Sequence, residues 1–140
     1  MIREIIYGFL ATIGFSILFN VPRDHLVEAG VSGAVGWAGY LIMMNVYNSP
    51  IAATFTASVL IGIMSEYFAK RTKNPSTMFI IPAIIPLVPG LQSYQTIYAL
   101  LEKKNELALS LGILTVGLAL AIASGLILVI SFFRIKRRKL

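Results

Sequence analysis

The chain has 140 residues, 57% of them hydrophobic and a further 11 glycine, with 13% charged and a mean hydropathy of +0.81. A soluble domain this small has too much surface to hide so many apolar side chains, and soluble proteins carry ~25% charged residues; a water-soluble enzyme and a disordered tail are therefore excluded, and the solvent is a bilayer. The net charge of +6, from 12 Lys and Arg against 6 Asp and Glu, falls between apolar runs and at the C-terminus, where membrane topology accounts for it and nucleic acid does not.

Five apolar runs predict an all-α polytopic membrane protein, a single integral domain over residues 1–140 with about five transmembrane helices. The spans are expected at 5–21, 27–47, 51–69, 77–101 and 107–133, against the ~17–25 residues a spanning helix needs. The first run reaches that length only by taking in Asn20 and Val21. Arg3 is offset by Glu4 and no small-residue cleavage site follows, so it does not read as a signal peptide. In the loop after it, Asp24 is expected to cap the second helix, with Glu28 adding charge to its first turn. His25 is expected to be solvated.

The second run carries Gly30, Gly33, Gly36 and Gly39. The third carries Thr54, Ser58 and Gly62, and the fifth Gly117, Ala121 and Gly125. Such small-residue ridges let backbones approach in lipid. They serve either packing within the chain or the docking of a partner subunit. Near the end of the third run, Glu66 stands one turn before Lys70, the spacing of a helical ion pair. An acid inside a span is also a candidate for proton or substrate coupling.

The fourth run is predicted to break. Pro82, Pro86 and Pro89 each lack an N–H, leaving the carbonyls of Met78, Pro82 and Ile85 without helical partners. Gly90 follows and tolerates the positive φ of a sharp turn. Its loss in Gly90→Val is then expected to cost on the order of 1–3 kcal/mol. The break falls at the centre of the run, hence at the expected bilayer midplane, where irregular backbone survives only against protein or a water-filled cavity. Gln92, Ser93, Tyr94, Gln95 and Thr96 then open a second half-helix whose positive end faces that cavity. Discontinuous helices of this kind hold substrate carboxylates in secondary transporters. The candidate substrate-binding residues are Pro82, Pro86, Pro89, Gly90, Gln92, Ser93 and Tyr94, with Glu66 as coupling candidate; the alternative is a kinked structural helix.

The basic residues set the topology. Five spans place Arg23, Lys70, Arg71, Lys73, Arg134, Lys136, Arg137, Arg138 and Lys139 on one side, and Arg3, Lys103 and Lys104 on the other. The positive-inside rule then puts the N-terminus outside and the C-terminus in the cytoplasm. The basic tail suits anionic lipid. An odd span count gives no inverted repeat, which points to an oligomer or a second subunit. With no cysteine and one histidine, no metal or cofactor site is expected, and no catalytic constellation is present.

Four stretches together resemble the small-subunit type of the threonine/serine exporter (ThrE) family. They are Leu18-Phe-Asn-Val-Pro-Arg23; Gly33-Ala-Val-Gly-Trp37; Glu66-Tyr-Phe-Ala-Lys-Arg71 with Asn74-Pro75; and Ile81-Pro-Ala-Ile-Ile-Pro-Leu-Val-Pro-Gly90 with Tyr94. The resemblance implies a multi-pass protein of the cytoplasmic (inner) membrane. It also implies export of small hydroxy amino acids or related small carboxylates, beside a separately encoded, larger multi-span partner. The rival expectations are a scaffold subunit that transports nothing and a homo-oligomeric channel.

Overall fold

The computed structural model describes residues 1–138; Lys139, at the end of the basic tail, lies outside them. Among the described residues the chain is all helical: α1 (Ile2–Leu18), α2 (Leu26–Tyr47), α3 (Pro50–Thr72), α4 (Thr77–Ile84), α5 (Gly90–Leu101) and α6 (Asn105–Arg138), with short 3₁₀ turns before α2 and after α4. Four of the loops contain a residue in the left-handed region: Asn20, Asn48, Lys73 and Lys103. A left-handed residue stops a helix by turning the next N–H back onto its last carbonyls. After Asn48, Ser49 restarts the chain by accepting a hydrogen bond from the Ala52 N–H, and Pro50 fits the first helical turn. The expected cap at Asp24 is not made: Asp24 lies in the 3₁₀ turn Arg23–His25, and α2 starts without a side-chain cap.

Three stretches are long and apolar enough to cross a membrane, namely Arg23–Tyr47, Pro50–Thr72 and Asn105–Ile135. The pair Thr77–Leu87 and Gly90–Leu101, bent by 44°, makes a fourth. The protein is thus an all-α polytopic membrane protein. α1 stops at Leu18 because Asn20 takes φ 56°, and Val21 N–H closes back on the Ser16 carbonyl. Its 17 residues rise about 26 Å, against about 30 Å of hydrocarbon.

The glycine faces are consumed inside the bundle. On α2, a Cβ at Gly30 would lie 2.7 Å from the Phe9 ring, and one at Gly33 would overlap Thr12, both on α1. A Cβ at Gly36 would overlap Ile61, and one at Gly39 Leu60, both on α3. The ridge of the fifth run is likewise internal: Gly117 faces Ile51, Gly125 faces Ser58, and the Ser58 hydroxyl donates to the Ala121 carbonyl at 3.3 Å. Neither ridge is left over for a partner. Among the described residues, small residues mark the close crossings of α1 with α2, α2 with α3, and α3 with α6.

The same contacts fix the chain direction. Residues 51, 58 and 62 of α3 meet 117, 121 and 129 of α6 in rising order, so these two helices run parallel. The chain must return between them, and it does so through α4 and α5. The fourth run therefore traverses the bundle once and does not fold back. End A gathers the start of α1 and the turns at 48–49 and 102–104. End B gathers the loops at 19–25 and 73–76 and the end of α6.

Candidate functional site

Pro82 lies inside α4, fully buried, and the helix gives way to a 3₁₀ turn at Ile85–Leu87. Val88 is extended, and Pro89 at φ −75°, ψ 58° forms an inverse γ-turn closed by the Gly90 N–H on the Val88 carbonyl at 2.8 Å. The break therefore sits at Val88-Pro89, and the expectation for Gly90 is corrected. No glycine has positive φ; Gly90 opens α5 with nothing within 4 Å of the position of a Cβ. Pro89 supplies the turn through its fixed φ. Gly90→Ala should accordingly stay within about 1 kcal/mol of wild type, or stabilise slightly by restricting the unfolded chain. Thermal unfolding in detergent checks this; a loss of more than that would restore the glycine turn.

The carbonyl of Ile85 also departs from expectation, because it accepts the Val88 N–H at 3.1 Å. Pro82 and Pro86 still deprive the carbonyls four residues back of their α-helical donors. On the far side of the break, α5 starts with no side-chain cap. Its first-turn N–H groups at Leu91 and Gln92 have no carbonyl within the helix to bond. Ser93 returns both its N–H and its hydroxyl to the Pro89 carbonyl, at 3.0 and 2.7 Å.

Facing this uncapped end is a cavity of about 270 Å³. Its walls are Trp37 and Tyr40 of α2, Pro50 and Thr54 of α3, the segment from Pro86 to Pro89, Leu91 and Gln92 of α5, and Leu114 and Leu118 of α6. The Trp37 and Tyr40 rings stack with centroids 5.2 Å apart. Among the described residues no charged side chain lines it. Thr54 decides its character. The residue is 2% exposed, yet its hydroxyl makes no hydrogen bond among the described residues. Thr12, Thr56, Thr72, Thr96 and Thr115 each return theirs to the carbonyl four residues back. Thr54 belongs to the cavity wall, and its hydroxyl is not sealed in, since the fully buried side-chain atoms without a partner among the described residues are His25 Nδ1 and Ser65 Oγ; a ligand or water in the cavity can supply the bond.

Of the residues expected to form the site, the structure brings Pro86, Pro89 and Gln92 to the cavity wall. Pro82 is packed behind the break, Gly90 is exposed, Ser93 fastens the turn, and Tyr94 stands on the outer surface, 65% exposed and stacked on Tyr98. The depth differs from the expected midplane as well. The α3 residues in the wall are Pro50 and Thr54, within the first turn or so of a 23-residue helix, so the break lies toward end A. A 3₁₀ turn rises ~2.0 Å per residue and extended backbone ~3.3 Å; the first half of the run thereby outreaches the second.

Trp37, Tyr40, Pro50, Thr54, Leu114 and Leu118 were not legible as site residues. They come from three other helices, and only a Trp and a Tyr three residues apart in a Gly/Ala stretch hinted at a wall. At end B, Glu66 is 4% exposed on α3, next to Ser65, whose hydroxyl is fully buried without a partner. Lys70 lays its ammonium 4.3 Å above the Phe133 ring, a cation–π contact. His25 is not simply solvated: its Nε2 lies 3.0 Å from the Asn74 amide nitrogen, joining the two loops of that end.

Residues 4–132 match the family described as Threonine/Serine exporter, ThrE. The chain belongs to the threonine/serine exporter family. The match covers all but the extreme ends, including every wall of the cavity. A similar relative is an uncharacterized protein of Haemophilus influenzae (strain ATCC 51907 / DSM 11121 / KW20 / Rd), 24% identical over 102 residues. That match takes in 73% of this chain but only 34% of the relative, so the chain spans about a third of that protein's length. No solved structure matches.

Proposed function

We propose that the chain is the membrane subunit of a secondary exporter of small amino acids, threonine or serine, or related small carboxylates. In this reading it acts beside a larger multi-span partner, and the broken helix holds the substrate. The observation that carries the reading is that Thr54, whose hydroxyl makes no hydrogen bond among the described residues, lines one uncharged cavity with the uncapped start of α5. A carboxylate suits that helix start, whose dipole is worth roughly half a positive charge. An ammonium suits the ring faces of Trp37 and Tyr40, and a substrate hydroxyl suits Thr54 or the Gln92 amide. The absence of a cationic side chain from the wall favours a net-neutral zwitterion over a dianion. At about 270 Å³ the cavity sits just under the ~300–1,000 Å³ of drug-sized pockets, which matches a small substrate.

Pro86, Pro89 and Gln92 then act as wall, Pro82 backs the break and Ser93 holds the turn; Gly90 and Tyr94, both outside the wall, have no part in binding in this reading. Glu66 remains the coupling candidate. The partner reading is supported by the Haemophilus relative, two thirds of which lies outside the matched stretch. The basic residues favour end B in the cytoplasm and end A, with the N-terminus, outside, in the cytoplasmic membrane. Reporter fusions in the 102–105 loop and after Leu140 should report opposite sides; the same side would contradict the single crossing of the fourth run.

Efflux of labelled threonine against internal concentration, with the partner present and expression matched, tests the site. Thr54→Val and Gln92→Leu should each raise the half-saturation about two- to twelve-fold, the equivalent of one hydrogen bond at ~0.5–1.5 kcal/mol. Unchanged half-saturation in both would leave the chain a scaffold, and efflux without the partner would make it a channel.

A further inference from the structure

A second hollow of about 210 Å³ lies against the first. Glu4, Tyr7, Gly8 and Ala11 of α1 line it, together with Trp37 and Pro86. Trp37 and Pro86 also line the cavity at the break, so the two hollows share one wall, made of one indole and one proline ring. Glu4 to Ala11 lie within the first three turns of α1, so the second hollow runs inward from end A. Apart from Glu4, its lining is apolar. Trp37 is rooted tightly, with its Cβ 3.0 Å from where a Cβ on Gly8 would stand. Its ring is half-buried, its N–H makes no hydrogen bond among the described residues, and it leans on Tyr40. Among the described residues no hydrogen bond locks the ring in place, whereas its stem packs closely against Gly8.

We propose that Trp37 is the gate between the two hollows and that the α1 hollow is a second station on the substrate's route, opening at end A. Rotation of the indole about its side-chain bonds joins the chambers without displacing a helix. Pro86 is the fixed jamb, because its ring has no such rotation. A weakly binding, apolar outer chamber behind a polar inner one lets a small zwitterion leave once it has passed the gate. The route deepens the substrate reading of the cavity, yet the gate can be tested without it.

The chain has no cysteine, so single cysteines report unambiguously. Thr54→Cys in the full-length protein, co-expressed with its partner, would be labelled with a membrane-impermeant maleimide applied in turn to intact cells and to inverted vesicles. Tyr7→Cys, on the exposed side of the second hollow, identifies which face end A occupies. Adding Trp37→Ala should speed labelling of Thr54→Cys at least ten-fold from the face that labels Tyr7→Cys, with little change from the other. Trp37→Phe should give an intermediate rate and Leu118→Ala, on the opposite wall, none. Equal rates with and without Trp37→Ala overturn the gate, as does equal acceleration by Leu118→Ala or acceleration from both faces. Should Trp37→Ala fail to insert, Trp37→Phe and Pro86→Ala carry the same comparison, and no acceleration in either overturns it. Acceleration that persists while threonine gives Thr54→Cys no protection keeps the gate and removes the substrate assignment.

Discussion

Gly36→Leu should destroy the fold of the isolated chain, by about 3 kcal/mol or more. A Cβ at Gly36 already overlaps Ile61 and comes 3.3 Å from the Ala57 carbonyl, and leucine adds three further carbons to a tight crossing of α2 and α3. Overpacking a tight core costs ~1–3 kcal/mol when side chains can adjust; here the opposing atoms include backbone, so relief requires moving a helix. Gly14→Leu is the matched control, since nothing lies within 4 Å of its Cβ position. Thermal unfolding of the purified chain in detergent should show Gly36→Leu without a transition and Gly14→Leu close to wild type. A Gly36→Leu chain that unfolds normally and only loses its partner would return the glycine face to intersubunit docking.

Thr54→Phe should abolish transport while leaving the bundle folded. Thr54 is buried but lines the cavity. The added ring has somewhere to go that Gly36→Leu lacks, and it occupies the space assigned to substrate. Efflux should fall at least ten-fold with the melting temperature within a few degrees of wild type. Thr54→Ser, which keeps the hydroxyl and the space, should transport nearly normally. Loss of efflux with Thr54→Ser as well would mean that the position matters for packing, not for the hydroxyl.

The sequence told more about the fold than about the site, for physical reasons visible at particular residues. Hydropathy marks long helices because lipid demands it, and α2, α3 and α6 lie along the second, third and fifth apolar runs. Prolines 82, 86 and 89 announced a break because a missing N–H is a local property. Which residue bends is not local: Gly90 invited the turn, but Pro89 can make it unaided with its own φ and ψ, so the glycine stayed helical. The glycines of α2 announced close approach but not to what, since a ridge looks the same whether its neighbour is α1, α3 or another chain. The cavity was half legible. Gln92 and the uncapped start of α5 follow from the break, whereas Thr54, Trp37 and Tyr40 reach it only through the antiparallel pairing of α2 and α3 and the return of the chain past them. The spacing puts Thr54 on one small-residue ridge with Ser58 and Gly62; Ser58 and Gly62 pack closely against α6, whereas Thr54 lines the cavity.

The central claim is that the cavity at the break receives the substrate, and its most direct test is protection of one cavity residue. Gln92→Cys in the otherwise cysteine-free chain, assembled with its partner, would be labelled with a maleimide small enough to enter the cavity, over a range of threonine concentrations. The expected result is protection that rises with threonine and saturates near the half-saturation of efflux, while Tyr94→Cys on the outer surface is labelled at the same rate throughout. Labelling of Gln92→Cys that is indifferent to threonine at concentrations saturating efflux would contradict the account.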